Sequence, residues 1–186
     1  MKTLRQDTYE DVRTTIALLA AKDFANHSII KRGTFEYRCG DPDSSINHFN
    51  VILRPGKIIF YGDVGDFILS HSDKDSLGWL SRASREYLIG KIVAGKNERF
   101  YKDNALNYLE SSIADGCSVA IKVKEELRYN DFLNSHEWAK AWFEHGDSDY
   151  PKMEYPCERA LWLFEALSWF IKHLPKEEFP DNSDRG

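Results

Sequence analysis

Two aspartates and two histidines in the first half of the chain are the residues whose types could support metal or acid–base chemistry. Asp63 and Asp66 lie in the turn Tyr61-Gly62-Asp63-Val64-Gly65-Asp66, between two apolar segments. His48 and His71 fall in segments that could share one face of a sheet. Clustered carboxylates bind Mg²⁺ or Ca²⁺ through oxygen, and imidazole serves as a zinc ligand or a general base. These four residues define one hypothesis, a metal-dependent hydrolase or nuclease.

The same turn has a second interpretation, because its composition is typical of a β-hairpin. Glycine supplies the positive φ that a tight turn requires, and an aspartate side chain accepts hydrogen bonds from its own turn. The histidines do not occur at HxH, HxxxH or HExxH spacing, and the chain contains no GxSxG motif or phosphate-binding loop. The pattern favours a structural turn, and the sequence predicts no catalytic, cofactor-binding or metal-ligating residue and no cofactor.

Tryptophans in the last two long helical segments provide a different kind of candidate site. Trp138 and Trp142 are four residues apart, and Trp162 and Trp169 widen the apolar arc of the final helix beyond one stripe. A helix that is apolar most of the way round is either deeply buried or covered by another chain. Exposed tryptophans would act as interface hot spots. The sequence leaves burial, a homodimer and a partner interface open.

The charge distribution adds acidic residues to the predicted partner surface. The net charge is −5, and the chain from Glu144 onward carries ten acids against five bases. The candidate partner-binding residues are therefore Trp138, Trp142, Trp162, Trp169, Glu144, Asp147 and Asp149. We expect them to meet a host protein with a basic surface, such as a defence complex. Direct nucleic-acid binding is not favoured, because it depends on neutralising phosphates.

The elements that would position these residues follow from hydrophobic periodicity. Tyr9–Asn26 is predicted to form a helix, with Thr8 and Asp11 at its N-terminal end. Alternating apolar residues then predict a sheet over residues 33–71, with short turns that make it an antiparallel meander. The four predicted strands are Thr34–Arg38, Asn47–Arg54, Lys57–Tyr61 and Asp66–His71.

The remainder reads as helical from residue 75 to 174, followed by a frayed tail over 175–186. The predicted helices are Asp75–Ala83, Ser84–Val93, Asp103–Ala114, Ser118–Arg128, Asn130–His145 and Cys157–Leu174. Within Ser118–Arg128, alternating valine and isoleucine leave a strand as the alternative. With 42% hydrophobic and 30% charged residues, the composition is that of a globular protein. We predict a single α+β domain over 1–186, with an N-terminal helix, a four-stranded meander and a helical C-terminal half packed on the sheet.

Part of this chain, from His27 to about Tyr108, resembles a group of small phage and prophage proteins of unassigned function. The resemblance is carried by the segments His48-Phe49-Asn50-Val51-Ile52-Leu53-Arg54-Pro55-Gly56, Ile58-Ile59-Phe60-Tyr61-Gly62-Asp63-Val64-Gly65-Asp66-Phe67-Ile68 and Tyr87-Leu88-Ile89-Gly90-Lys91-Ile92. Arg54 stands where that group has an aromatic residue before Pro-Gly. The resemblance implies an origin in a mobile element and supplies no catalytic residues.

Three functional hypotheses follow. The first is a phage accessory protein that binds a host protein and inhibits an anti-phage defence system, as anti-CRISPR proteins do. The second is the metal-dependent hydrolase or nuclease, and the third is a protein that sequesters a small ligand such as a nucleotide. The N-terminus lacks the apolar core of a signal peptide, no apolar stretch is long enough to span a bilayer, and the three cysteines form no CxxC pair. We therefore expect the protein in the cytoplasm of a bacterial host.

Overall fold

A computed structural model describes residues 8–95, 98–127, 134–145, 151 and 153–178 of the chain. It is an α+β protein with an N-terminal helix, an antiparallel sheet and a helical C-terminal half. The elements are α1 (Tyr9–Asp23), β1 (Ser28–Gly33), β2 (Glu36–Gly40), β3 (Phe49–Arg54), β4 (Lys57–Gly62), β5 (Phe67–Ser70), α2 (Ser76–Arg82), α3 (Arg85–Ile89), β6 (Ile92–Ala94), β7 (Glu98–Phe100), α4 (Lys102–Ala114), α5 (Ser118–Leu127), α6 (Ser135–Glu144), β8 (Glu154–Pro156), α7 (Glu158–His173) and a 3₁₀ turn at Lys176–Glu178.

The first helix begins where the capping pattern predicts. The backbone N–H of Asp11 donates to Thr8 Oγ1 at 3.3 Å, and the N–H of Thr8 donates to Asp11 Oδ2 at 3.2 Å. This reciprocal pair satisfies donors that the first helical turn would otherwise leave free. One stripe of the helix is buried through Ile16 and Ala20.

The main sheet has six strands in the order β1 to β6, so the predicted four-stranded sheet over residues 33–71 is too small. The predicted strands correspond to β2–β5, and all neighbours in the sheet are antiparallel. At one edge, β1 was missed because its residues are mostly exposed and show no apolar alternation. At the other edge, β6 was assigned to a helix, because Ile89 and Ile92 stand at helical spacing. It pairs with β5 through Ile68 and Ala94.

One face of the sheet is buried, and α7 packs against it. Cross-strand partners such as Tyr37, Val51 and Phe60 are almost fully buried, whereas the residues that alternate with them are partly exposed. The ring of Tyr37 lies 5.2 Å from the ring of Phe170 on α7, in an edge-on arrangement. The alternation that predicted the strands therefore reflects one covered face.

The chain divides into two compact units, each with more contacts inside it than to the other. Unit 1 comprises residues 1–13 and 98–155, and unit 2 comprises residues 14–97 and 156–186. The sheet, α2, α3 and α7 lie in unit 2, and α4–α6 lie in unit 1. The prediction that 1–186 folds as a single domain stays a prediction.

Unit 1 has a core formed by residues of its three helices and of the segment before β8. Its buried members are Ala105, Leu109, Ala120, Val123, Leu127, Trp138, Ala141, Trp142 and Met153. The helical interpretation of residues 118–127 is confirmed by α5, whose buried residues Ala120, Val123 and Leu127 follow a helical period. The pair β7 and β8 was missed, because strands of three residues leave no periodic signal. Among the described residues, none of the helices has both the length and the apolar character required to cross a membrane.

Candidate functional site

The two aspartates of the turn accept hydrogen bonds from backbone N–H groups of unit 2. Asp63 Oδ2 accepts a hydrogen bond from the backbone N–H of His48 at 3.0 Å, and Asp66 Oδ1 accepts one from the N–H of Gly62 at 3.3 Å. Gly62 and Gly65 both have positive φ, at 145° and 125°. A Cβ at Gly62 would collide with the backbone of His48 and Phe49. The hairpin interpretation of this turn is therefore confirmed.

The two histidines of the predicted metal site lie at opposite ends of the β3–β4 pair. His48 immediately precedes Phe49, which pairs with Gly62 at one end, whereas the backbone N–H of His71 donates to the Gly56 carbonyl at the other. A strand of this length spans roughly 20 Å. The four residues are therefore not brought together. Within the part of the chain that the structure describes, no group of three His, Cys, Asp or Glu side chains could hold a metal ion.

His71 forms a close pair with Ser76 that resembles part of a nucleophilic dyad. Its Nε2 lies 3.0 Å from Ser76 Oγ, and its ring stacks on Trp79 with centroids 4.1 Å apart. The hydroxyl of Ser76 donates its proton to the carbonyl oxygen of Arg54, so Nε2 must be the donor to Oγ. A general base must accept the nucleophile's proton, and this arrangement does the reverse. Ser76 is also buried, so the pair fastens α2 to the end of β3.

Two of the four predicted partner-binding tryptophans belong to the core of unit 1. Trp138 and Trp142 are 1% and 2% exposed, and their rings meet edge-on at 5.7 Å. Trp138 Nε1 donates to the carbonyl oxygen of Pro151 at 2.8 Å. Of the alternatives that the sequence left open, burial is the one observed for this pair. Their spacing of four residues puts both on the inner face of α6.

The acidic part of the predicted partner surface is only partly described. Glu144 is exposed at the end of α6 and lies 3.6 Å from Lys140, one helical turn earlier. Asp147 and Asp149 lie outside the described residues. The basic partner that these three residues are expected to meet therefore stays a prediction.

The other two tryptophans lie on α7 in unit 2, and both are partly exposed. Trp162 meets the buried ring of Phe24 at 5.8 Å. Trp169 lies within about 6 Å of Phe24, His27 and Phe49, and the exposed ring of His173 stacks on it at 4.6 Å. Because the inner edge of Trp169 is fixed by this aromatic cluster, its remaining surface is held in place.

A groove between α1 and α7 presents the exposed part of Trp169. Its volume is about 390 Å³. One wall is formed by Ala17 and Ala21 on α1 and by Ala25 in the turn that follows it, and the other is formed by α7 residues that include Ser168, Trp169, Lys172 and His173. Small side chains one turn apart make the α1 wall low, so another polypeptide could approach its backbone closely.

An exposed leucine stands at the outer edge of this groove, although it does not line it. Leu18 is 70% exposed, and at 100° per residue its side chain lies next to Ala21 on the groove flank of α1. Leu19 is 46% exposed but lies on the opposite flank. The alanine spacing was readable in the sequence, but pairing it with Trp169 required the packing of α1 against α7.

No known protein family, curated protein or solved structure matches this chain.

Proposed function

We propose that this chain is a phage or prophage accessory protein that acts in the bacterial cytoplasm by binding a host protein. In this proposal it inhibits an anti-phage defence system, as anti-CRISPR proteins do. The observation that carries it is the groove between α1 and α7, which combines a low alanine wall with a positioned, partly exposed tryptophan. The phage-like segments support it further, as does the turn that contains Asp63 and Asp66, because both carboxylates accept hydrogen bonds from backbone N–H groups.

The occupant that this groove suits is an α-helix of the partner protein. Helices bind grooves through apolar residues at i, i+3, i+4 and i+7, and a low alanine wall lets such a helix lie close to α1. Trp169 is then the anchor, because half-buried aromatic residues carry a large share of interface energy. Leu18 closes the exposed side of the contact.

The acidic residues of the predicted partner surface supply the second part of the proposal. Glu144, Asp147 and Asp149 steer the chain towards a basic surface on the partner, since complementary charge chiefly raises the rate of association. The same acidic character disfavours direct binding to nucleic acid. An alternative in which the groove mediates a homodimer is separated from this one by measuring the mass of the purified protein in solution.

The direct test is phage plating on bacteria that carry a defined CRISPR effector directed against that phage. Expression of the chain should restore plaque formation with one effector in a panel. Leu18→Glu should reduce the restoration at least roughly tenfold, because it introduces a desolvated charge into an apolar contact. Leu19→Glu is the matched control on the opposite flank and should leave it unchanged.

Two outcomes count against the proposal, and they do so separately. If no effector in the panel is inhibited, the defence-inhibitor role is wrong. If an effector is inhibited equally by the parent chain and by Leu18→Glu, the protein binds its partner through another surface. Circular dichroism of both variants checks that α1 remains folded.

A further inference from the structure

A second cavity lies in unit 2, at the end of the sheet where β2 and β3 approach the start of α2. Its volume is about 310 Å³, at the lower end of the range for small-molecule sites. Tyr37, Leu53 and Leu77 line it, and each of them is at least 94% buried in the protein. These side chains already belong to a packed core, so the cavity has a firm apolar floor.

Phe35 forms a half-open wall of this cavity. Its ring is 51% exposed, although its carbonyl oxygen is fixed by a 2.8 Å hydrogen bond from the backbone N–H of Leu53. An aromatic ring left in water on a fixed backbone costs solvation free energy, and an apolar ligand beside it would remove that cost.

The rim of the cavity is predominantly acidic. Glu178 is already engaged, with Lys31 Nζ at 2.6 Å and the Tyr37 hydroxyl donating to it at 2.9 Å. The hydrogen bonds from Lys31 and Tyr37 lower the pKa of Glu178, so this carboxylate stays charged. Glu177 is exposed and forms no ion pair within the described residues, and Lys74 is the only ammonium among the described lining residues.

The ammonium group of Lys31 already lies beside two residues that line this cavity, Tyr37 and Glu178. Lys31 Nζ lies 5.9 Å from the centroid of the Tyr37 ring while it contacts the Glu178 carboxylate. This is the combination of aromatic face and carboxylate that recognises organic cations. Glu177 and Phe35, a second carboxylate and a second aromatic ring, also line the cavity, and both are exposed.

We propose that this cavity binds a small organic ammonium ion with an aromatic or alkyl body. The body lies on Phe35, Leu53 and Leu77, and the ammonium group faces Glu177. A nucleotide does not fit this description, because its phosphates would face the carboxylates of Glu177 and Glu178. The site is separate from the groove between α1 and α7, and it does not depend on the function proposed for that groove.

The test uses three probes that share one ring and differ in charge: 2-phenylethylammonium, 2-phenylethanol and 3-phenylpropionate. Each is titrated into the full ¹⁵N-labelled chain while the amide signals are followed. The ammonium should bind about two- to fivefold more tightly than the alcohol, and the carboxylate more weakly than both. The largest shifts should occur at Phe35, Leu53 and Leu77.

Variants, each with a matched control, test whether the three probes bind in this cavity. Glu177→Gln should abolish the preference for the ammonium over the alcohol, whereas Glu125→Gln, an exposed change in α5, should not. Lys74→Gln should tighten binding of the ammonium. Phe35→Ala should weaken all three probes, whereas Phe143→Ala, another exposed phenylalanine, should weaken none.

The proposal is overturned if the alcohol or the carboxylate binds as tightly as the ammonium. It is also overturned if no probe gives saturable shifts at millimolar concentration. Saturable shifts at residues away from the cavity would equally contradict it. Because all the substituted residues are exposed, an unfolded variant is not expected, and the amide spectrum of each variant shows whether the fold is kept.

Discussion

His48 lies against Gly40, and both of its ring nitrogens have partners in unit 2. Nδ1 is 2.8 Å from a guanidinium nitrogen of Arg38, so it accepts, and Nε2 donates to the carbonyl oxygen of Asp41 at 3.1 Å. In this arrangement neither ring nitrogen of His48 is free to bind a metal. At the residue scale, this side chain is therefore a brace between β2 and the start of β3.

The contact between His48 and Gly40 leads to a stability prediction. A Cβ at Gly40 would lie 2.6 Å from His48 Nε2, closer than side chains pack. Gly40→Ala should therefore lower the free energy of unfolding by about 1–3 kcal/mol, measured by urea denaturation. Gly33→Ala in β1 is the matched control, because its Cβ would meet its nearest neighbour at 3.7 Å. Equal stability of the two variants would show that the ring moves aside.

His71 gives a pH prediction whose sign follows from its surroundings. Burial lowers its pKa from the ordinary value of 6.5, and this outweighs the opposing carboxylates of Asp73 and Asp75. Below about pH 6.5 the unfolded chain then binds more protons than the folded chain, so stability is lost as the pH falls towards the folded pKa. The free energy of unfolding should decrease from pH 7 to pH 5.

The variant His71→Gln isolates this contribution. Its unfolding free energy should start lower at pH 7 but fall less steeply than that of the parent chain between pH 7 and pH 5. Ser72→Ala, an exposed change next to His71 that removes no titratable group, should keep the parent slope. Parallel curves for His71→Gln and the parent would mean that His71 does not contribute to the pH dependence.

At the element scale, the sequence was informative where one face of an element is buried and another is not. The alternation of β2–β5 and the helical stripes of α1, α4 and α7 report burial directly, so their positions were predicted within a few residues. The edge strands β1 and β6 were not predicted, because the residues of an edge strand need not alternate between apolar and polar. The tryptophans of α6 and α7 could not be sorted by sequence, since core and interface demand the same residue types.

The N-cap of α6 leads to a stability prediction at the scale of one element. Asn134 Oδ1 accepts hydrogen bonds from the backbone N–H groups of His136 and Glu137, at 3.0 and 3.2 Å. Asn134→Ala removes this acceptor and should cost about 1 kcal/mol of stability, measured by chemical denaturation. Asn134→Asp keeps an acceptor at the same place and should lose much less. An alanine variant as stable as the aspartate variant would contradict this role for the cap.

At the scale of the whole molecule, the two cores consist of different residues and allow a matched pair of substitutions. Val123 belongs to the core of unit 1 and Val51 to the core of unit 2, and both are 0% exposed. Each valine-to-alanine change should cost about 2 kcal/mol. In hydrogen exchange, Val123→Ala should reduce protection mainly in α4–α6, and Val51→Ala mainly in β2–β5.

The alternative result has an equally definite meaning. If either substitution lowers protection throughout the chain by the same amount, the two units unfold together. That outcome would support the prediction that residues 1–186 form one domain.

The pairing of β7 with β8 has a consequence for which segments of this chain can be exchanged. These strands contain the two points where the chain enters and leaves the 98–155 segment, and they are hydrogen-bonded neighbours, so entry and exit lie about 5 Å apart. A segment whose ends meet in this way can be replaced without stretching the sequence on either side, provided that the replacement also packs against Tyr9, whose ring stacks on Tyr155. The same geometry would let a different module of similar packing surface stand between β6 and α7.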